Sequence, residues 1–145
     1  MSTAEDRQAL DAELLSWMRE PDWKFEEARF AELALDLFAH QFAHCPPYRR
    51  FAEGRGLTPA SVEHWRQVPA VPAGAFKELA LRSFPEANTV KTFRTSGTSG
   101  QKQGELHLDT LGLYEASLMA SLDTLFLAGE AGPKTLLRIL SLIHI

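Results

Sequence analysis

The sequence predicts an α/β fold, in which a helical N-terminal segment is followed by the beginning of a mixed sheet. Apolar residues at helical spacing dominate positions 1–67, and strand-like stretches flank a glycine-rich loop at positions 95–100. The stretch 135–143 is almost continuously apolar, as in a strand buried on both faces of a parallel sheet. Because a helix followed by such a strand is typical of α/β domains, we divide the chain into a helical segment, 1–67, and an α/β part, 68–145.

The helical segment contains three predicted helices. The first carries its apolar residues at Leu10, Leu14, Trp17 and Met18, and Pro21 ends it. The second runs from about 25 to 43, with an apolar face formed by Phe30, Leu33, Ala34, Leu37, Phe38 and Phe42. Cys45-Pro46-Pro47 ends this helix, since proline has no N–H and disfavours helix in the preceding residue. Thr58-Pro59 then predicts a short helix to about Gln67, with threonine as N-cap and proline at its first position.

The second part contains the predicted strands. Val68–Pro72 has two prolines, so it must be extended and cannot be a central strand. Ala75–Glu78 predicts a turn or one helical turn, and Leu79–Phe84 and Thr89–Thr95 predict strands. Glu105–Leu108 is the predicted returning strand of a hairpin around the loop. A long helix follows, capped by Asp109 or Thr110, with inward residues Leu111, Tyr114, Leu118, Leu122, Leu125 and Phe126 and an end at Gly129 and Gly132-Pro133.

Composition limits the classes of function. The 145 residues suit one ordinary domain or the front part of a larger one, and 45% hydrophobic with 23% charged residues is typical of globular proteins. A net charge of −4 without a basic cluster argues against nucleic acid or anionic membrane as a partner. The polar start, Met1–Asp6, is not a secretory signal, and no apolar run is long enough for a membrane span. The single cysteine, Cys45, excludes an internal disulfide and favours a cytoplasmic location.

The strongest functional signal is the loop Thr95-Ser96-Gly97-Thr98-Ser99-Gly100. Glycine lets backbone N–H groups approach a polyanion closely, and the short hydroxyls add further donors. We predict that the loop binds the β- and γ-phosphates of ATP through the hydroxyls of Thr95, Ser96, Thr98 and Ser99 and the backbone of Gly97 and Gly100, with Lys102 as charge partner. It is not a Walker A loop, because Gly100 is followed by Gln101, and it lacks the G-x-G start of a dinucleotide fingerprint.

The loop resembles the phosphate-binding loop of adenylate-forming enzymes, which include acyl-CoA synthetases, luciferases and peptide-synthetase adenylation domains. Positions 95–100 match that pattern fully and Gly104 matches its closing glycine, whereas Lys102 stands at the family's proline position and Gln103 at its lysine position. The ordered set of flanking segments is similar to the acyl-protein synthetase (LuxE-type) branch over about 25–143. These segments are Val68–Pro72, Ala75–Lys77, Thr92–Gly100 and Leu113–Ser117.

This resemblance implies a ligase that uses ATP and Mg²⁺ to activate a carboxylic acid, in this branch a fatty acid, to an acyl-adenylate. The acyl group would then pass to a protein thiol, with an acyl-accepting or reductase protein as partner. The family's acceptor cysteine lies near the carboxyl end of a full-length protein, so it does not correspond to Cys45. The resemblance also implies that this chain is the N-terminal, catalytically silent part of the large mixed sheet, with no catalytic residue and no metal ligand of its own. The final residues, 140–145, resemble translated adapter DNA and are treated as a candidate artefact.

Three alternatives stay open at this point. A phenylacetate-CoA ligase-like enzyme would pass the acyl group to coenzyme A, a nucleotide-binding module would hold ATP without chemistry, and a glycine-serine hairpin in an unrelated domain would ignore ATP. Other polar residues are given structural roles in preference to chemical ones. We expect Cys45 to be buried or half-exposed at a helix end, His40 and His44 to lie on a solvated helix face, and His107 to have a structural role in preference to bordering the nucleotide. We also expect Phe76 in the core beside an exposed Lys77, and Arg94 either at phosphate or facing outward from its strand.

Overall fold

The structure, a computed structural model, describes residues 4–20, 24–96 and 102–125. Loop positions 97–101, the predicted helix end after 125 and the predicted strand at 135–143 lie outside the described residues, as do the side chains of 123–125. The described elements are the helices α1 (Ala4–Met18), α2 (Glu27–His44), α3 (Pro46–Glu53), α4 (Ala75–Glu78) and α5 (Gly112–Leu125) and the strands β1 (Lys91–Arg94) and β2 (Glu105–Leu108). Short 3-10 helices lie at Trp65–Gln67 and Glu86–Asn88. Helices with a small sheet make a mixed α/β arrangement.

The first two predicted helices are confirmed as α1 and α2. The apolar face predicted for α2 is the face that packs inward, since Leu33 and Phe38 are buried and its other members are partly buried. The helix ends where Cys45 turns to an extended conformation and its N–H donates to the Gln41 carbonyl over 2.8 Å. The period of the apolar residues therefore located this helix and its buried side.

The stop at Cys45-Pro46-Pro47 is confirmed for α2, but α3 begins at once with Pro46 and was not predicted. Proline is tolerated in the first turn of a helix, where its missing N–H would have no intrahelical acceptor. The two prolines thus end one helix and begin the next. Helix α3 contributes Tyr48 and Ala52 to the core, so it is a central element of the helical segment.

The core lies between α2, α3 and the chain that follows them. It is formed by Phe38, Cys45, Tyr48, Ala52 and Val62, and no polar or charged residue among the described ones is buried. The hydroxyl of Tyr48 donates to the Pro69 carbonyl over 3.0 Å. This bond ties the extended segment Val68–Pro72 to α3, and Val68, Val71 and Leu81 pack on the same core. The helical segment and the chain leading to the hairpin therefore share one core.

Two predicted elements are absent from the described structure. No helix runs from Thr58 to Gln67, because Thr58 and Ser61 close a single turn and His64 is extended before the 3-10 helix. No strand forms over Leu79–Phe84, which is irregular apart from a tight bend in which the Arg82 N–H donates to the Ala80 carbonyl. A strand needs a neighbour for its backbone groups, and the described residues offer this segment none.

The hairpin is confirmed, with β1 and β2 antiparallel and Lys91 opposite Leu108, Thr92 opposite His107, Phe93 opposite Leu106 and Arg94 opposite Glu105. Helix α5 follows, and its N-terminal Gly112 N–H donates to the Thr110 hydroxyl over 3.2 Å. The predicted inward face of α5 is only partly right, since Tyr114 and Leu118 are 44% and 51% exposed. Helix α1 packs against α5 and α2. Within the described ranges, no helix is long and apolar enough to cross a membrane.

Candidate functional site

Thr95 and Gly104 close the base of the glycine-rich turn. The Thr95 N–H donates to the Gly104 carbonyl over 3.0 Å, and the Gly104 N–H donates to the Thr95 hydroxyl over 2.9 Å. The pairing of the two strands therefore continues one step beyond β1 and β2. The Thr95 oxygen acts as an acceptor here, so its own O–H remains available as a donor to a ligand beyond the hairpin. Ser96, the next residue, is exposed.

The base of the turn also contacts α4. Gly104 is buried, and a Cβ placed on it would lie 3.5 Å from Thr95 Oγ1 and 3.6 Å from the Phe76 Cβ. These are ordinary van der Waals distances, so Gly104 fills a closely packed but unstrained position. The turn consequently begins and ends at a fixed point, held on one side by hydrogen bonds and on the other by α4.

A cleft of about 600 Å³ lies beside this base. One wall is Phe76–Ala80, from α4 and the residues after it, and the other is formed by Lys102, Gln103, Glu105 and His107. The volume falls within the range of small-molecule sites, roughly 300–1,000 Å³. Of the predicted site residues, the structure brings Lys102 to the cleft and Thr95 to the base of the turn next to it. Ser96 follows Thr95 and is exposed, and Gly97, Thr98, Ser99 and Gly100 lie outside the described residues.

Acidic side chains hold the basic ones around the cleft. Lys102 Nζ lies 3.2 Å from Glu78 Oε2, and both side chains are largely exposed. Arg94 donates to Glu105 over 2.8 Å, and this hydrogen bond lowers the pKa of Glu105. Arg94 therefore faces outward from β1, one of the two positions expected for it. A phosphate could recruit Lys102 by displacing Glu78, because an exposed ion pair is worth only about 0–1 kcal/mol.

His107 has a structural environment, as expected. Its Nδ1 lies 3.1 Å from the Thr92 hydroxyl across the hairpin, and its side chain is only 11% exposed. The same imidazole lines the cleft, and its Nε2 lies 3.6 Å from Glu105 Oε2. Glu78 and Glu105 are the cleft residues that the sequence did not single out. Their only sequence signal is position, since Glu78 ends the Ala75–Glu78 helical turn and Glu105 begins the returning strand.

The remaining candidates lie away from the cleft. Cys45 is buried at the end of α2, as expected. His40 and His44 do not lie on a solvated helix face: both are partly buried, their rings are 4.7 Å apart, and His40 Nδ1 is buried without a hydrogen bond. Helix α1 packs against α2, and the charges of its Arg7 and Asp11 act on His40, while His44 lies beside Arg82. Among the described residues, no three His, Cys, Asp or Glu side chains are grouped so as to hold a metal ion.

The chain is similar to a curated protein, the long-chain-fatty-acid–luciferin-component ligase of Photorhabdus luminescens. The two are 30% identical over 71 residues, which are 49% of this chain and 60% of that protein. The chain thus spans about three fifths of the length of the relative it matches. No family model matches the chain, and no solved structure matches it. The similarity supports a distant relationship to a fatty-acid ligase.

Proposed function

We propose that this chain belongs to an ATP-dependent ligase of the acyl-protein synthetase type, with an adenylate-forming fold. The ligase would activate a fatty acid to its acyl-adenylate and pass the acyl group to a protein thiol. The observation that carries the proposal is the closed base of the turn: Thr95 and Gly104 are hydrogen-bonded to each other next to a cleft of small-molecule size, and the sequence that starts at Thr95 is a six-residue run of hydroxyls and glycines. The distant similarity to a fatty-acid ligase supports the choice of substrate.

The chemistry explains why such a turn is needed. A carboxylate oxygen attacks the α-phosphorus of ATP, the bond to the bridging oxygen breaks, and pyrophosphate leaves with the negative charge. Donors that are already in place stabilise this charge without reorganising. In the proposed site the hydroxyls of Thr95, Ser96, Thr98 and Ser99 and the N–H groups of Gly97 and Gly100 contact the β- and γ-phosphates. Because Thr95 and Gly104 are already held by their hydrogen bonds, these two residues lose little entropy when a ligand binds.

The donor set suits the polyphosphate of ATP, which would arrive as its Mg²⁺ complex. Neutral hydroxyls and N–H groups dominate it, and Lys102 supplies a cation at the cleft wall. Lys102 would exchange Glu78 for phosphate when ATP binds. Mg²⁺ would share the charge of the phosphates, which lowers the cost of bringing the carboxylate close.

Acid-dependent exchange of labelled pyrophosphate into ATP, measured on the natural protein that contains this sequence, tests the proposal. Thr98→Val removes one donor and should lower the exchange rate by on the order of 100-fold, whereas Thr98→Ser should retain most of it. Thr58→Val is the matched control, because that threonine closes a turn after α3 and does not line the cleft. Equal rates in Thr98→Val and Thr58→Val would contradict the assignment.

The same protein also distinguishes the alternatives. Covalent labelling of the protein by a radioactive fatty acid supports an acyl-protein synthetase, while formation of acyl-CoA supports a phenylacetate-CoA ligase-like enzyme. ATP binding without acid-dependent exchange would indicate a nucleotide-binding module. No effect of ATP at all would leave the turn as an ordinary hairpin loop.

A further inference from the structure

A second recess lies on the other face of the hairpin from the polar cleft. Side chains alternate between the two faces of a strand, and β2 follows this rule: Glu105 and His107 line the cleft, while Leu106 lines the recess. The recess has a volume of about 360 Å³, within the range of small-molecule sites. Phe76 lines both spaces, so this residue lies between them.

The recess is lined mainly by apolar side chains. Cys45 and Tyr48 are 3% and 7% exposed, and the Tyr48 hydroxyl is already bonded to the Pro69 carbonyl. Burial raises the pKa of the Tyr48 phenol, so this wall carries no charge at neutral pH. The lining also includes Pro69, Val71, Leu81 and the small polar Ser83, and the more exposed Gln41 and Leu106 lie where the recess meets solvent.

We propose that this recess binds the hydrocarbon tail of the carboxylic acid. Phe76 would separate this tail from the polar cleft, where ATP would bind. The inference rests on the proposed function, since it places the substrate of that ligase. The size argues for an aliphatic chain: at about 30 Å³ per group of water or methylene size, the recess has room for on the order of ten carbons. The lining argues for the same ligand, because every methylene moved there from water contributes about 0.8 kcal/mol.

The two spaces differ in the charge of their lining. Lys77, Glu78 and Lys102 line the cleft, and no charged side chain lines the recess. A fatty acid has the same division, with an anionic head and an apolar tail. Phe76 lies between the cleft and the recess, one position before Lys77. A hydrocarbon tail that contacts Phe76 from the recess would therefore have its carboxylate directed towards the polar cleft.

Cys45 provides the test, because it is the single cysteine of the chain and lies inside the recess. The probe is alkylation of Cys45 by iodoacetamide in the purified chain, with decanoate as ligand and acetate as the carboxylate without a tail. Decanoate at ten times its dissociation constant should slow alkylation about tenfold, since only unoccupied molecules react. Acetate should leave the rate unchanged. An unchanged rate with decanoate, or equal protection by acetate, would overturn the inference.

Paired tryptophan variants separate binding in the recess from a general effect on folding. Leu106→Trp places bulk at the recess and should abolish protection, while Val90→Trp, also beside the hairpin but away from the recess, should retain it. Both residues are already exposed, at 42% and 62%, so a strand surface can accept the larger side chain. If circular dichroism shows that Leu106→Trp is unfolded, Ser83→Leu, which narrows the recess from another wall, replaces it. Protection that survives a folded blocking variant counts against the recess.

The outcome is distinguishable from that of the proposed function. Protection of Cys45 by decanoate without pyrophosphate exchange in the natural protein would retain the fatty-acid site and reject the ligase. Pyrophosphate exchange without protection of Cys45 would retain the ligase and reject the recess as the site of the hydrocarbon tail.

Discussion

Arg7 in α1 binds Asp109, 102 residues further along the chain, through two parallel hydrogen bonds of 3.1 and 3.2 Å. The same guanidinium donates to Asp11 over 2.9 Å, and the hydrogen bond to Asp109 raises the pKa of Arg7. Asp109 directly follows β2 and precedes α5. The first helix is thus fixed to the point where the chain leaves the hairpin.

We expect this contact to contribute measurably to stability. Arg7 and Asp109 are 25% and 22% exposed, and a two-pronged charged hydrogen bond of this kind contributes about 1–3 kcal/mol. A double-mutant cycle with Arg7→Gln and Asp109→Asn, read by urea unfolding, measures the coupling. The control cycle uses Lys102→Gln and Glu78→Gln, an exposed pair that should couple by less than about 1 kcal/mol. Similar coupling in both cycles would show that the contact with Asp109 has no special role.

The hydroxyl of Thr95 should stabilise the base of the turn independently of any ligand. Thr95→Val leaves the Gly104 N–H without its acceptor and should cost about 1 kcal/mol in the free energy of unfolding. Thr95→Ser keeps the oxygen and should cost less. Urea denaturation of the two variants without ATP provides the measurement, and equal losses would mean that the hydroxyl is not the stabilising group.

The stability of the chain should fall as the pH drops below about 6.5, the ordinary pKa of histidine. Burial lowers the pKa of His40, and the neighbouring His44 and Arg7 lower it further, against the opposing charges of Asp11 and Asp109. The unfolded chain therefore takes up a proton at His40 at a higher pH than the folded chain does, so acid favours unfolding. The part of the stability that depends on neutral His40 is fully present above pH 6.5. It declines as the pH falls below 6.5 towards the lowered pKa of His40 in the folded chain.

Unfolding curves at several pH values between 5 and 8 check this dependence. His40→Gln should remove its largest part, and His44→Gln should reduce it, because only the charge of His44 is lost while the burial of His40 remains. A slope that is unchanged in His40→Gln would assign the dependence to other groups.

Phe38 should be among the most sensitive positions of the helical core. It is 2% exposed and makes edge-on contacts with Phe42 and Tyr48, at ring distances of 5.9 and 6.1 Å. Phe38→Ala should cost about 3–5 kcal/mol through lost burial and the cavity that remains. Phe25→Ala removes the same side chain where it is 66% exposed and should cost far less. Thermal unfolding of both variants makes the comparison, and comparable losses would argue against a core centred on α2 and α3.

Local patterns in the sequence were sufficient for those elements that local physics determines. The spacing of apolar residues located α2 and its buried side, and the residues around the loop located β2 and the hairpin. Helix α3 does not follow from the sequence pattern, because Pro46 and Pro47 predict a stop and the same residues also suit a first helical turn. The prediction of a strand over Leu79–Phe84 is wrong. A strand needs a neighbouring strand to pair with, and composition does not reveal whether one is present.

The candidate site also combines features that the sequence reveals with features that depend on the packing of distant segments. The hydroxyl-glycine run is visible in the sequence, but the pairing of Thr95 with Gly104 depends on the register of the hairpin. The ion pair of Lys102 with Glu78 joins residues 24 positions apart and depends on how α4 packs against the hairpin. Tyr114 and Leu118 were expected inside because they are apolar, whereas exposure depends on what packs against each side of α5.

The position of α1 has a practical consequence for anyone producing this protein. A shortened version that starts at Lys24 would lack Arg7, the partner of Asp109, and would expose the side of α5 that packs against α1. Apolar surface exposed in this way promotes aggregation. Removing α1 should therefore cause the protein to accumulate in inclusion bodies. Affinity tags and cleavage sites are therefore better engineered ahead of this helix than in place of it.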